Sequence, residues 1–89
     1  MSEAYRVSLS RTAAKYLGQC DAHTRDRLRQ KLETLKADPF DPRHSKRLKG
    51  RNDQRSARVG GLRILFQVQN LDVVIAAIGP RGEIYKHGQ

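Results

Sequence analysis

Arg58 and Arg63 are the residues from which chemistry can first be read in this chain. They flank Val59-Gly60-Gly61-Leu62, where the two glycines can supply the positive φ of a two-residue hairpin turn. Val59 then stands opposite Leu62, and Arg58 opposite Arg63. Cross-strand neighbours lie roughly 5 Å apart at Cβ, where like charges destabilise. At an effective dielectric of about 20, charges about 6 Å apart repel by ~2–3 kcal/mol, less once salt and splayed side chains act. Two readings stand side by side. Both arginines reach into water, as most surface arginines do, or the pair holds an anion, since functional sites are where local design rules are broken.

The elements that position the pair follow from periodicity. Arg55 to Val59 and Leu62 to Val68 are the two strands, with Leu62, Ile64, Phe66 and Val68 on one face and Arg63, Leu65 and Gln67 on the other. Asn70-Leu71 makes a second tight turn into a strand over Asp72 to Gly79. Its run Val73 to Ile78 is apolar on both faces and belongs inside a sheet. That register puts Phe66 opposite Ile75 and Arg63 opposite Ile78, and carries Gly79-Pro-Arg81-Gly and Tyr85 toward the arginine end of the hairpin. Earlier in the chain, Ala4 to Leu9 alternates as a first strand. Ser10 caps a short helix to about Gln19, with Ala13, Ala14 and Leu17 on its apolar side. Asp21 caps a longer helix to about Lys36, with Leu28, Leu32 and Leu35 as its stripe and Arg25, Arg27, Arg29, Lys31 and Lys36 on a solvated face. Asp38-Pro-Phe-Asp-Pro42 stops it, and Phe40 is expected to pin that loop to the core.

The resulting fold class is α+β, β-α-α-β-β-β, with two N-terminal helices packed on one face of a mostly antiparallel sheet. The Arg63 face should look away from the helices. At 89 residues the chain is a single domain, residues 1–89. One cysteine, Cys20, excludes an intrachain disulfide, and the absence of C-x-x-C pairs argues against structural zinc. No signal pattern or spanning run is evident, so no membrane association and a cytoplasmic location are expected. The net charge of +9 points to nucleic acid, ribosome or an acidic protein partner. A basic loop, Arg43-His-Ser-Lys-Arg-Leu-Lys-Gly-Arg51, adds phosphate-contacting cations in Lys46, Arg47, Lys49 and Arg51, beside Arg55 and Arg58 on the strand. His44 is a weak acid–base candidate there.

Leu48-Lys-Gly50, Arg58-Val-Gly60, Leu62-Arg-Ile-Leu-Phe66 and Gly79-Pro-Arg-Gly-Glu-Ile-Tyr85 together resemble the RelE/ParE superfamily of bacterial toxins, along nearly the whole chain. The resemblance to the RelE branch implies a toxin of a type II toxin–antitoxin system: a ribosome-dependent endoribonuclease that cleaves messenger RNA in the A site without metal or cofactor. It implies a cognate acidic antitoxin, with operator DNA contacted only through the antitoxin complex. Arg63 and Arg81 match the family arginines that hold the scissile phosphate, and Tyr85 matches the tyrosine that orients the substrate nucleotide. His87 matches a histidine some relatives place beside that tyrosine. The two lysines common on the strand before the turn fall here at Gln54 and Ser56. Two alternatives remain open: a ParE-like inhibitor of DNA gyrase, and an inactive RNA- or ribosome-binding module.

Overall fold

Two capping side chains start the helices. In the computed structural model, which describes residues 5–48 and 53–80, strand β1 (Arg6–Leu9) runs into Ser10. The Ser10 hydroxyl accepts from the Ala13 N–H at 3.0 Å and opens helix α1 (Arg11–Gln19). Asp21 opens helix α2 (Ala22–Ala37) in the same way, accepting from the Thr24 N–H at 3.0 Å. Hydrogen bonding to the ionised form, from the Thr24 side chain first and its N–H second, lowers the Asp21 pKa below its ordinary value. Leu28, Leu32 and Leu35 are the buried stripe of α2, and Ala13 and Leu17 that of α1, whereas Ala14 is exposed.

The cations of α2 are not all a solvated face. Arg25 donates to the carbonyl oxygens of Cys20 at 2.8 Å and Leu17 at 3.4 Å, closing the C-terminal end of α1, where orphan carbonyls favour a cation. Arg27 reaches the hairpin turn, its guanidinium lying against Gly60. Beyond α2 the expected anchor is exchanged. Pro39 is fully buried, while Phe40 is 49% exposed, set edge-on to Tyr5 and under the Arg55 guanidinium, 5.2 Å from its ring centre. An aromatic between two prolines looks like a core residue, but the turn points the first proline inward instead.

Strands β2 (Lys46–Arg47), β3 (Arg55–Val59), β4 (Leu62–Gln69) and β5 (Asp72–Pro80) complete a five-stranded sheet in the order β1-β5-β4-β3-β2. β1 runs parallel to β5, and the other pairs are antiparallel. β2 adds to the expected element order. It lies in what reads as an irregular basic loop, and pairs Lys46 with Ser56 and Arg47 with Arg55. β5 is interior, as its apolar run demanded. Ile64 and Phe66 meet Val73, Ile75, Ile78 and the leucines of α1 and α2 in one core, so the Arg63 face does look away from the helices. No described helix is long and apolar enough to cross a membrane.

One register expectation is corrected. Phe66 faces Ile75, but Leu65 faces Ala77, so Ala76 is an extra residue in β5, a β-bulge. Arg63 therefore faces Gly79 rather than Ile78, and Ile78 faces Ile64 in the core.

The turns use less left-handed backbone than two glycines would allow. Gly60 has φ +59°, whereas Gly61 is not in that region; a II′-type hairpin needs positive φ only at the first position. Asn70, at φ 58°, does the same at the second turn. Gly60→Ala is therefore expected to cost about 1–2 kcal/mol, and Gly61→Ala, whose Cβ meets open space, less than about 0.5 kcal/mol. Paired urea denaturations check this, and equal losses in the two variants would contradict the assignment of the turn.

Candidate functional site

The sheet's outer face places its polar residues in rows. Directly paired residues share a face, so Lys46, Ser56, Leu65 and Ala77 form one row across β2 to β5, and Arg58, Arg63 and Gly79 the next. Arg58 and Arg63 are cross-strand partners, as the turn required. Their environments differ sharply. Arg58 is exposed, but Arg63 is only 7% exposed and has no hydrogen-bond or ion-pair partner among the described residues. Ser56, 2% exposed, carries a buried hydroxyl with no partner among the described residues. A buried cation and a buried orphan hydroxyl in adjacent rows both lack what a bound oxyanion would supply.

These groups floor an open depression of about 270 Å³. Arg58, Arg63 and Ser56 come from the hairpin. Lys46 rims it from β2, and Pro42, Arg43, His44 and Ser45 close it from the loop after α2. That loop is tightly braced. His44 and Ser45 N–H both donate to the Asp41 carbonyl at 3.0 Å, and the Ser45 hydroxyl donates to the Pro39 carbonyl at 2.7 Å. Arg43 clasps the Asp41 carboxylate with Nε at 3.1 Å and an Nη at 2.7 Å. The Arg43 hydrogen bonds hold the Asp41 carboxyl well below the usual carboxylate range and raise the Arg43 pKa. With its folded pKa depressed, this clasp is present above the ordinary carboxylate pKa and is lost only as pH falls through the lowered value.

The expected site residues divide accordingly. Arg63, Arg58 and Lys46 are brought together. Arg55 points to the helix face, donating to Ser45 Oγ at 3.1 and 3.3 Å and covering Phe40, so it braces the loop from behind. Arg47 is exposed on β2 and does not line the depression. Lys49, Arg51, Arg81, Tyr85 and His87 lie outside the described residues. The two positions matching family lysines differ from one another: Gln54 is half-buried with its carbonyl accepting from Leu48 N–H at 2.8 Å, while Ser56 lies on the floor of the site. Sequence reasoning missed Ser45 and Ser56. The available signal was parity: Ser56 is two residues from Arg58, hence on its face.

A larger depression of about 620 Å³ lies between the helices and the hairpin tip, lined by Tyr16, Cys20, Arg27 and Leu62 among others. Among the described residues Arg27 is its one cationic lining residue, and Ser56, Arg58 and Arg63 lie on the opposite face of the sheet.

The architecture has solved counterparts. The RelE of an archaeal RelE-RelB complex from Pyrococcus horikoshii OT3 is similar at TM-score 0.74 and 26% identity, over 89% of this chain and 97% of that one. The toxin-antitoxin complex RelBE2 from Mycobacterium tuberculosis gives TM-score 0.75 and 25% identity, over 89% and 100%. Isolated E. coli RelE gives TM-score 0.76 at 23% identity, over 94% of each chain, a likeness of fold. No curated protein sequence matches. Two helices on a five-stranded sheet of this connectivity define a RelE-like member of the RelE/ParE superfamily. Residues 7–85 match the family described as ParE toxin of type II toxin-antitoxin system, parDE, and the chain belongs to that family.

A buried arginine with no counter-charge among the described residues is an energetic liability. Arg63→Met is expected to leave unfolding free energy unchanged or raise it. Inorganic phosphate should raise the wild-type Tm above that in potassium chloride of equal ionic strength, by a linkage of about 2.7 kcal/mol at one hundred times Kd. Arg63→Met should lose that increment. Thermal melts in the two salts provide the check, and a wild-type Tm indifferent to phosphate would count against an anion site.

Proposed function

We propose that this chain is a ribosome-dependent, metal-independent endoribonuclease toxin that cleaves messenger RNA in the A site, neutralised by a cognate acidic antitoxin. The observation that carries the reading is Arg63, buried and unpartnered among the described residues beside the orphan Ser56 hydroxyl, in a depression ringed by cations. Metal-free RNA cleavage uses the substrate's own 2′-hydroxyl as nucleophile and needs cations where phosphorane charge develops. Arginine suits that task because its planar fork matches phosphate oxygens. In this reading Arg63 and Arg81 clamp the scissile phosphate and Tyr85 stacks on the adjacent nucleotide, as unpaired bases are commonly held. His87 is a candidate for proton transfer. Lys46, Arg58, Lys49 and Arg51 contact flanking phosphates, with Arg47 and Arg55 further cations near the same strand edge.

The described surface supports ribosome dependence in this reading. Phe66 is core and Phe40 is occupied by Tyr5 and Arg55, so among the described residues no row of aromatics grips a single strand. Naked RNA should bind weakly and with steep salt dependence, leaving the ribosome to present the codon.

A second reading, inhibition of DNA gyrase, is favoured by the family match itself, which is to ParE toxins. The shared fold cannot choose between the two. Primer extension on a translated message in a purified translation system separates them: new 5′ ends within codons support the nuclease, whereas intact RNA with inhibited gyrase supercoiling supports the second reading. Within the nuclease reading, Arg81→Ala is expected to cut cleavage by roughly two orders of magnitude or more. Arg63→Lys should also be impaired, keeping charge but losing the fork. A folded Arg81→Ala protein that cleaves at the wild-type rate would remove Arg81 from the clamp. The antitoxin is reached separately. The RelE of two relatives was solved with its RelB partner, and a tagged acidic product of the neighbouring reading frame should retain this chain on co-purification and relieve its toxicity.

A further inference from the structure

The cationic depression holds a phosphate in the reading above, but cations alone leave the nucleophile's proton without a destination. Of the side chains lining it, Arg43, Arg58 and Arg63 are permanent cations, and Lys46 as an ammonium has no acceptor. The Ser45 hydroxyl is spent on the Pro39 carbonyl. Among the described lining residues, His44 is the one whose side chain carries a ring nitrogen that can accept a proton.

The backbone that carries it is held from both sides. His44 and Ser45 N–H converge on the Asp41 carbonyl, and Ser45 Oγ is bonded to Pro39 and by the Arg55 guanidinium. On the other flank, Arg43 is clasped to Asp41. A general base must be held in position by a rigid surround, and this loop supplies one. Asp41 is a nearby carboxylate, already engaged by Arg43, while Lys46 of β2, Arg58 of β3 and Arg63 of β4 line the same depression as His44. The orphan Ser56 hydroxyl beside Arg63 marks where a phosphate oxygen would sit, on the floor opposite the His44 loop.

We infer that His44 is a catalytic residue of this site, the general base that takes the proton of the substrate's 2′-hydroxyl, with Ser56 donating to a non-bridging oxygen of the same phosphate. This rests on the endoribonuclease reading. The step balances without a redox partner. The 2′-oxygen forms a bond to phosphorus as its proton passes to an imidazole nitrogen. The bond from phosphorus to the 5′-oxygen breaks, and that oxygen leaves with a proton from water. The products are a 2′,3′-cyclic phosphate and a 5′-hydroxyl. The departure of Gln54 and Ser56 from the family's lysine positions is then matched by a proton acceptor delivered from the loop across the site.

The test is single-turnover cleavage of message on programmed ribosomes between pH 5.5 and 8.5, using wild-type protein, His44→Gln, Lys46→Met, Ser56→Ala and His87→Gln. Ribosome binding and circular dichroism are measured alongside. His44→Gln should bind and fold as wild type, yet cleave roughly 100-fold or more slowly, and lose the fall in rate that wild type shows toward acid pH. Ser56→Ala should slow cleavage while keeping that pH dependence. If His44→Gln keeps both the rate and the acid limb, or if Lys46→Met or His87→Gln abolishes the limb instead, the assignment to His44 is overturned while the nuclease reading stands. A wild-type protein that leaves every message intact overturns both.

Discussion

One extra residue, Ala76, sets what the rest of this site can be. Along a regular strand residues alternate faces, so Ile75 and Ile78 would point oppositely, and Ile78 would lie beside Arg63. The bulge reverses the parity after Ala76. Ile78 joins Ile64 in the core, and Gly79 takes the place opposite Arg63. The same residue is held from the far end of the chain. Ser10 donates its N–H to the Ile75 carbonyl at 2.9 Å and its hydroxyl to the Ala76 carbonyl at 2.7 Å, while accepting from Ala13. A helix cap thus also satisfies backbone that the bulge leaves without a ladder partner. The core gains an isoleucine, and the cationic floor is spared one.

That division lets one sheet carry two incompatible environments. On the helix side, β-branched and leucine side chains pack as any core does. On the other, two guanidinium groups stand as direct cross-strand partners, and one of them is buried. Arg27, against Gly60 near the turn, belongs to the helix side instead. A sheet floor made of hydrogen-bonded strands resists the splaying that repulsion between Arg58 and Arg63 would otherwise drive, so the charge density is held in place and not relaxed. Charge held in this way meets an anion without having to reorganise.

Much of this architecture was legible in local patterns. Ser10 and Asp21 mark both helix starts, Gly60 sets the hairpin register to the residue, and the apolar run Val73 to Ile78 places β5 inside the sheet. What escaped was non-local. The bulged Ala76 is bonded by a serine 66 positions away, which no window on β5 contains. β2 is two residues of lysine and arginine with no apolar alternation, and is a strand only because Arg55 and Ser56 pair with it. Arg25 reads as surface charge until the end of α1 is placed beside it. At the site the Arg58–Arg63 pair was readable, but the burial of Arg63 was not. Neither was the place of His44 along the same depression, because both depend on how the loop around Asp41 folds back over the sheet.

The parallel pairing of β1 with β5 has a consequence for how the molecule comes into being. Arg6 to Leu9 must find Asp72 to Ile75, so the sheet cannot close while the chain is still being synthesised through its middle. The hairpin bearing Arg58 and Arg63 can form by itself within microseconds, but the long-range closure is of the slow, high-contact-order kind. During translation the arginine pair is therefore exposed on a hairpin whose supporting helices have no completed sheet to rest on. The finished, rigid site arises only after β5 has emerged from the ribosome that made it.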